Sequence, residues 1–315
     1  MYYNIIQMNT NFKNIIEFQR YFNTEEVCRK YLEINRWPEG IICPFCCSTK
    51  VYRFSDGKRF KCADRFCNKK FTVTVGTMYE NSKIPLQKWF LAMYVIGNHK
   101  KGISSCQLAR DLGVTQKTGW FLLHRIREMH IKKSANRKLR DVVSADETFI
   151  GGLNKNRHAD KKIEDNQGRS TKDKTPVLGL IQHGGHVVTE VIPDTKAATL
   201  KPIIQRMVER GSIIVTDEWD SYNSIRGEYK HVVIKHNEGE YVRGAFHTNN
   251  IENFWSLLKR GIYGIYHQVS RKHLDRYCQE FAFRFNTRKI KDVDRFDVIV
   301  RNSEGRLKYK ELIKK

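Results

Sequence analysis

Three acidic side chains that stand far apart in the chain constrain its fold more than any other feature. Asp146 lies in the apolar, β-branched segment VVSADETFIGG, and Asp217 lies just past the apolar part of GSIIVTDEWDSY. Glu252 opens HTNNIENFWSLLKRG, whose apolar residues recur at helical spacing. A fold that brings two strand-borne aspartates and a helix-borne glutamate together can bind a pair of divalent cations, and such a pair supports in-line displacement at phosphorus.

The surrounding segment, from Leu139 onward, alternates between strand and helix patterns. DVVSADETFIGG, PVLGLIQH and HVVTEVIPD are predicted strands, and the last two are joined at Gly184-Gly185. An amphipathic helix, TKAATLKPIIQRMVER, precedes the strand before Asp217, and HVVIKHNEGEYV is a further strand before the helix of Glu252. This order predicts a mixed α+β or α/β class, with a mixed five-stranded sheet and helices of the ribonuclease H-like type.

The helix that begins near Glu252 has two distinct faces. Ile251, Phe254, Trp255 and Leu258 form an apolar stripe, whereas Glu252, Ser256 and Lys259 recur at i, i+4 and i+7 on a neighbouring polar face. Lys259, with Arg260 beside it, is therefore a candidate DNA-phosphate contact next to the metal-binding acids. A solvated row of salt bridges is the alternative, and the order of the three acids along the chain favours the catalytic interpretation.

Three further polar side chains, Glu147, His236 and His247, are close to these acids in the sequence. Glu147 follows Asp146 on a strand and is expected on the opposite face, so it is not a predicted ligand. His236 and His247 have two possible roles: each either touches phosphate near the site or is an ordinary loop residue.

The carboxylates of Asp146, Asp217 and Glu252 are hard oxygen ligands. Such ligands favour Mg²⁺ or Mn²⁺, most simply as two ions.

Four of the eight cysteines form a metal-binding pattern, Cys43-Pro-Phe-Cys46 followed by Cys62-Ala-Asp-Arg-Phe-Cys67. Two close pairs separated by a segment with an Asp-Gly turn predict two knuckles and a β-hairpin around one Zn²⁺. Four protein thiolates leave no open position for water, so the zinc is expected to be structural. Cys47 competes with Cys46, but only Cys46 completes the two-residue spacing. The alternative is that these cysteines are small buried hydrophobic residues.

The charge of the chain indicates a polyanionic partner. Lys and Arg together number 57 against 34 Asp and Glu, a formal charge of +23, which favours nucleic acid over a basic surface kept for solubility alone. No apolar run approaches the roughly 20 residues of a membrane span, and the N-terminal segment has no secretory signal pattern. We therefore expect a cytoplasmic, nucleoid-associated protein without a membrane partner.

A second DNA-binding element is predicted in GISSCQLARDLGVTQKTGWFLLHRIREMH. Two amphipathic stretches flank Gly113, and Thr115 is a suitable N-cap for the second, which is the pattern of a helix-turn-helix. An ordinary helical hairpin is the alternative. In the helix-turn-helix interpretation the second helix supplies the DNA contacts, and the candidates are Gln116, Lys117, Thr118 and Arg125.

Together these segments resemble DDE-type bacterial insertion-sequence transposases of the group with an N-terminal zinc ribbon and a ribonuclease H-like catalytic domain. The matching pieces are CPFC with its distal cysteine pair, ADETFIGG, VTDEWDSY, HTNNIENFWSLLKRGIYGIYH and RYCQEFAFRFNTR. The resemblance implies Asp146, Asp217 and Glu252 as the metal-binding triad and Lys259 as the lysine seven residues on. Some relatives carry asparagine at the third position, which keeps Asn249 and Asn250 as alternatives.

The same resemblance implies a homo-oligomer that cleaves element terminal inverted repeats in double-stranded DNA and joins them to target DNA. A non-catalytic DNA-binding regulator and a ribonuclease H-like nuclease without strand transfer remain as alternatives. The expected organisation is an N-terminal helical segment (1–40), a zinc ribbon (41–76), a helical region with the helix-turn-helix (77–138), a catalytic domain (139–290) with a charged insert (153–175), and a basic C-terminal tail (291–315).

Overall fold

The computed structural model describes residues 12–131, 138–151, 158–164, 170, 172–235, 238–239, 242–244 and 246–314. The chain divides into two compact units. Unit 1 comprises Met1–Lys100, Ser105–His130 and Ile290–Lys315, and unit 2 comprises Lys101–Ser104 and Ile131–Lys289. The predicted domain boundaries stay a prediction, and part of the predicted charged insert lies outside the described residues. None of the described helices is long and apolar enough to cross a membrane.

The described elements follow the chain in two lists. The helices are α1 (Ile15–Tyr21), α2 (Glu25–Arg36), α3 (Leu86–Asn98), α4 (Ser105–Leu112), α5 (Gln116–Ile131), α6 (Ala197–Met207), α7 (Asn249–Gly261), α8 (Arg271–Asn286), α9 (Asp292–Arg301) and α10 (Tyr309–Ile313). The strands are β1 (Val51–Arg53), β2 (Arg59–Cys62), β3 (Lys70–Thr72), β4 (Val142–Gly151), β5 (Lys174–Gln182), β6 (Val187–Val191), β7 (Ile213–Thr216), β8 (Lys230–Val233), β9 (Val242–Arg243) and β10 (Phe246–His247).

Unit 1 is built around aromatic side chains from α1, α3 and α9. Phe18 packs edge-on against Phe296 with ring centroids 5.2 Å apart, and Phe90 does the same at 5.4 Å. The segment expected to be a basic C-terminal tail thus contributes helix α9 to this core. Edge-to-face aromatic pairs of this kind add stability beyond the apolar area that they bury.

Unit 2 contains the five-stranded mixed sheet, in the order β6-β5-β4-β7-β8. Strand β4 is central, antiparallel to β5 and parallel to β7, while β8 continues the parallel part. Strands β5 and β6 form an antiparallel pair, and Gly184 between them has φ +67°, a conformation that favours glycine. The predicted ribonuclease H-like class with a mixed five-stranded sheet is confirmed.

Alternation along β4 sends its side chains into two different environments. Val143 and Ala145 are buried in a cluster with Ile204 of α6, whereas Ile150 joins a cluster with the apolar stripe of α7. Since successive strand residues point to opposite faces, Asp146 shares the α7 side with Ile150. Helix α7, which opens near Glu252, packs on β4 and β5.

Candidate functional site

Strand pairing brings the first two acids to neighbouring positions. In the parallel β4–β7 pair, Ser144 lies opposite Val215, and extending this register by two residues brings Asp146 opposite Asp217. Adjacent strands are roughly 4.8 Å apart, and an even offset keeps both side chains on the same face of the sheet. Asp217 is the first residue beyond β7, where its Oδ1 accepts a hydrogen bond from the Trp219 backbone N–H at 3.1 Å.

The third acid reaches the same face from helix α7. Glu252 lies in the first turn of α7, is exposed, and accepts a hydrogen bond at Oε1 from the Thr248 hydroxyl at 3.0 Å. A carboxylate in the first turn of a helix is favoured by the helix dipole, and Thr248 holds its orientation. The alternatives Asn249 and Asn250 occupy the same turn.

The charge of Asp146 is poorly accommodated by the protein alone. Burial, followed by the nearby Asp217 carboxylate and to a smaller extent Glu252, raises the pKa of Asp146 from 3.8 to about 6. The Trp255 indole N–H opposes this shift by donating to Asp146 Oδ2 at 2.9 Å. A partly buried carboxylate facing other acids is a site that a cation stabilises.

Glycine at position 179 makes the contact between Trp255 and Asp146 possible. Gly179 of β5 lies directly opposite Asp146 of β4. A Cβ at Gly179 would come within 2.5 Å of Trp255 Cζ2 and 2.9 Å of Ile251 Cδ1. Any larger residue would therefore push α7 away from the sheet. Neither partner's role was predicted from the sequence, although a glycine inside a predicted strand signals a close approach.

Replacing Trp255 with phenylalanine is expected to weaken Mn²⁺ binding roughly 10- to 100-fold, the usual cost of losing a hydrogen bond that orients a metal ligand. Because the indole N–H lowers the pKa of Asp146, its loss should also move the acidic limb of the Mn²⁺-binding profile to higher pH. Mn²⁺ titrations at a series of pH values would measure both effects.

Trp89→Phe is the matched control, because it removes an indole hydrogen bond to Ser82 within unit 1. It should leave both readouts unchanged. Wild-type Mn²⁺ affinity in the Trp255 variant would show that the indole does not orient Asp146.

The three acids are drawn together less tightly than the zinc cysteines. In the part of the chain that the structure describes, the only group of three or more His, Cys, Asp or Glu side chains placed to hold a metal ion consists of cysteines. The acids share one face and interact electrostatically, but they do not form a closed ligand set. Their oxygen donors suit Mg²⁺ or Mn²⁺.

Histidines flank the acidic site without joining it. His183 stacks on His247 with ring centroids 4.8 Å apart, and its Nε2 lies 2.8 Å from Ser144 Oγ. Burial and the neighbouring His247 lower the pKa of His183, which favours its neutral form. Whether His247 touches phosphate stays open, and His236 lies outside the described residues.

The predicted DNA-contact residues differ in their accessibility. Lys259 is half-buried and Arg260 is exposed on α7, where Arg260 donates to Ser256 Oγ. At the start of α5, Gln116 and Lys117 are exposed, and Thr118 is partly exposed. Thr115 acts as the predicted cap, since its hydroxyl oxygen accepts from the Thr118 backbone N–H at 3.2 Å.

The structure corrects the prediction that Arg125 of α5 contacts DNA. Its side chain is 7% exposed, its Nε donates to the Leu307 carbonyl at 3.2 Å, and its guanidinium lies 4.3 Å from the Phe121 ring centroid. Burial lowers its pKa to about 10. Arg125 is therefore part of the packing of unit 1, and we remove it from the candidate DNA contacts.

The zinc ribbon brings its four predicted ligands together. One Sγ atom from each of Cys43, Cys46, Cys62 and Cys67 lies within 4.8 Å of the others, a donor set that suits Zn²⁺. The predicted hairpin is formed by β1 and β2, and β3 adds a third strand. The small core beneath it contains two ligands together with Phe60 and Phe71.

Known proteins share these two parts of the chain. Residues 138–286 match the ISXO2-like transposase domain, and residues 23–70 match the transposase zinc-ribbon domain. A protein of the transposable element ISH50 from Halobacterium salinarum is 29% identical over 277 residues, covering 84% of this chain and 91% of that protein. A transposase-like protein of Haemophilus influenzae is 34% identical over 106 residues, covering 33% of this chain and 85% of that protein.

Solved structures give a weaker likeness. The Mos1 strand transfer complex aligns with 61% of this chain and 74% of its own, at 13% identity and a TM-score of 0.21, which is too low to carry an argument. The sequence matches identify the family without this likeness. The chain belongs to the insertion-sequence transposases in which an ISXO2-like transposase domain follows a transposase zinc ribbon.

Proposed function

We propose that this transposase binds the terminal inverted repeats of an insertion sequence and catalyses metal-dependent DNA strand cleavage followed by strand transfer. The observation that carries the proposal is the common face of Asp146, Asp217 and Glu252. Asp146 lies on β4, Asp217 directly follows the neighbouring parallel strand β7, and Glu252 comes from the helix packed on the same side. This donor set fits Mg²⁺ or Mn²⁺.

The chain's own residues have distinct roles in this proposal. Asp146, Asp217 and Glu252 would hold the cations, Trp255 would orient the Asp146 carboxylate, and Thr248 would orient that of Glu252. When bound, two divalent cations supply Lewis-acid stabilisation of the attacking and leaving oxygens. No side-chain nucleophile is needed, because water and later a DNA 3′-hydroxyl can act as the nucleophile.

Basic side chains would position the DNA. Lys259, seven residues after Glu252, lies about two turns further along α7 and is a candidate for a phosphate beside the scissile bond, with exposed Arg260 next to it. Gln116, Lys117 and Thr118 open α5, the position from which a recognition helix reads base edges. The overall charge of +23 favours association with any DNA.

Asp217→Asn should abolish Mg²⁺-dependent nicking of a labelled duplex that carries the element's terminal repeat, by at least about 100-fold, since it removes a charged metal donor. End binding, measured by gel shift, should be largely retained. Asp220→Asn is the matched control, because Asp220 is exposed in the following 3₁₀ turn. It should nick at the wild-type rate, whereas nicking by Asp217→Asn would refute the proposed mechanism.

A pre-cut terminal end separates the proposal from its two alternatives. Incubated with Mg²⁺ and plasmid DNA, a transposase should give joined products in which the labelled end is covalently attached to the plasmid. Hydrolysis without joining would indicate a nuclease. End binding without any reaction would indicate a regulator.

A further inference from the structure

The zinc ribbon presents aromatic side chains to solvent. Of the large hydrophobic side chains exposed in the described part of the chain, the three aromatic ones all lie in the ribbon: Phe66 is 85% exposed, Tyr52 67% and Phe45 47%. Exposing a phenylalanine to this extent forgoes the favourable burial of its ring. Clustered exposed aromatics mark interaction surfaces.

A cation accompanies each exposed phenylalanine. The guanidinium of Arg65 lies 4.5 Å from the Phe66 ring centroid, and the ammonium of Lys69 lies 4.8 Å from that of Phe45. Both distances are within the range of cation–π attraction. The partner of this surface therefore has to accept both a flat apolar ring and positive charge.

The two rings extend from the metal end of the ribbon. Phe45 immediately precedes Cys46, and Phe66 immediately precedes Cys67, so each ring stands in a knuckle next to a ligand. Within the second knuckle, Asp64 Oδ1 accepts from the Phe66 backbone N–H at 2.9 Å. Zinc would thus hold both rings in fixed positions next to the metal.

The charge around the rings indicates a polyanion. Ribbon residues 41–76 contain eight Lys and Arg but only two acids, Asp56 and Asp64. Asp56 Oδ1 accepts two backbone N–H groups in the hairpin turn, and Asp64 is engaged in the second knuckle. This balance favours DNA over a protein surface.

We propose that the metal end of the ribbon, formed by Phe45, Arg65, Phe66 and Lys69, binds unpaired DNA by stacking bases on its two phenylalanines. In duplex DNA the base faces are already stacked, and a phenylalanine has no donor or acceptor with which to read groove edges. Unpaired bases offer free faces, and neighbouring cations contact the backbone. This deepens the proposed function, on which it rests for DNA as the partner.

The test measures DNA binding separately from cleavage. Full-length protein carrying Asp217→Asn, with zinc content verified, is titrated by fluorescence anisotropy into labelled oligo-dT and into a duplex of equal length. Adding Phe45→Ala and Phe66→Ala should weaken single-strand binding by about tenfold per ring. Duplex affinity should change by less than about twofold, because phosphate contacts by the basic residues remain.

Matched variants protect this test against a folding defect. Phe66→Leu keeps an apolar side chain but removes the aromatic face, so it should also lose single-strand affinity, whereas Phe66→Trp should retain or strengthen it. Ile42→Ala removes an exposed aliphatic side chain from the same ribbon and should have no effect.

Two results would overturn the inference. One is an unchanged affinity of the double variant for single-stranded DNA. If the oligomeric state of that variant also changes, the surface docks protein instead of DNA. The other is an equal loss on both DNAs. Single-strand binding is measured in the Asp217→Asn parent and does not depend on cleavage. A wild-type protein that fails to nick terminal-repeat DNA would therefore refute the proposed function without deciding this inference.

Discussion

Replacing Asp146 with asparagine is expected to abolish Mg²⁺-dependent cleavage and, at the same time, to stabilise the fold in the absence of Mg²⁺. Burial and the carboxylate of Asp217 raise the pKa of Asp146 from 3.8 to about 6, so its charge opposes folding at neutral pH. Asparagine removes that charge, and its amide oxygen can still accept from Trp255. A shift of this size corresponds to at most about 3 kcal/mol in the free energy of unfolding.

The sign of the pH dependence follows from the raised pKa. Because the pKa of Asp146 is higher in the folded protein than its ordinary value, the protonated carboxyl favours the folded state, and it does so fully below about pH 4. This contribution to the free energy of unfolding is lost as the pH rises through about 6. The advantage of the asparagine variant should therefore be largest near pH 8 and should vanish below pH 4. Urea denaturation in buffer without added Mg²⁺ or Mn²⁺ measures it.

Added Mg²⁺ gives the second half of this prediction. It should stabilise the wild-type protein but not Asp146→Asn, because a ligand that binds only the folded state stabilises it by mass action. The control Asp220→Asn should respond as the wild type does. A variant that is less stable than the wild type at pH 8, or equally stabilised by Mg²⁺, would contradict the assignment of Asp146.

Replacing Cys46 with serine is expected to release zinc and unfold the ribbon, whereas replacing its neighbour Cys47 should do neither. Cys46 belongs to the four-cysteine cluster, while Cys47 is exposed and lies outside it. The ribbon core is small, so metal binding, worth about 10–16 kcal/mol in zinc-finger peptides, supplies most of its folding free energy. The expected result is one zinc per chain in Cys47→Ser and none in Cys46→Ser.

Elemental analysis of the purified variants measures the zinc content, and limited proteolysis reports on the fold of the ribbon. The ribbon of Cys46→Ser should be cut rapidly, while that of the Cys47 variant should resist as the wild type does. Zinc loss from Cys47→Ser, or retention by Cys46→Ser, would exchange the roles of the two neighbouring cysteines.

Local patterns in the sequence were sufficient for the elements and the class of fold. Apolar, β-branched runs identified the five strands of the mixed sheet, and helical spacing identified α6 and α7. The cysteine spacing selected the four side chains that lie together in the ribbon. These features depend on residues close in sequence, where side-chain period and ligand spacing determine the outcome.

Contacts between distant segments could not be read in this way. The register of β4 against β7 and the approach of Trp255 to Gly179 depend on how separate elements pack, which no local pattern encodes. The burial of Arg125 has the same origin: α5 is buried along much of its length, so its polar residues are not confined to a solvent face.

The central claim, that the three acids form the cation site on which cleavage depends, is tested most directly by electron paramagnetic resonance of bound Mn²⁺. Wild-type protein, Asp217→Asn and Asp220→Asn would each be titrated in the presence of terminal-repeat DNA. We predict tight Mn²⁺ binding by the wild type and the Asp220 variant, and its loss in the Asp217 variant. Equal Mn²⁺ binding by all three proteins would contradict the assignment.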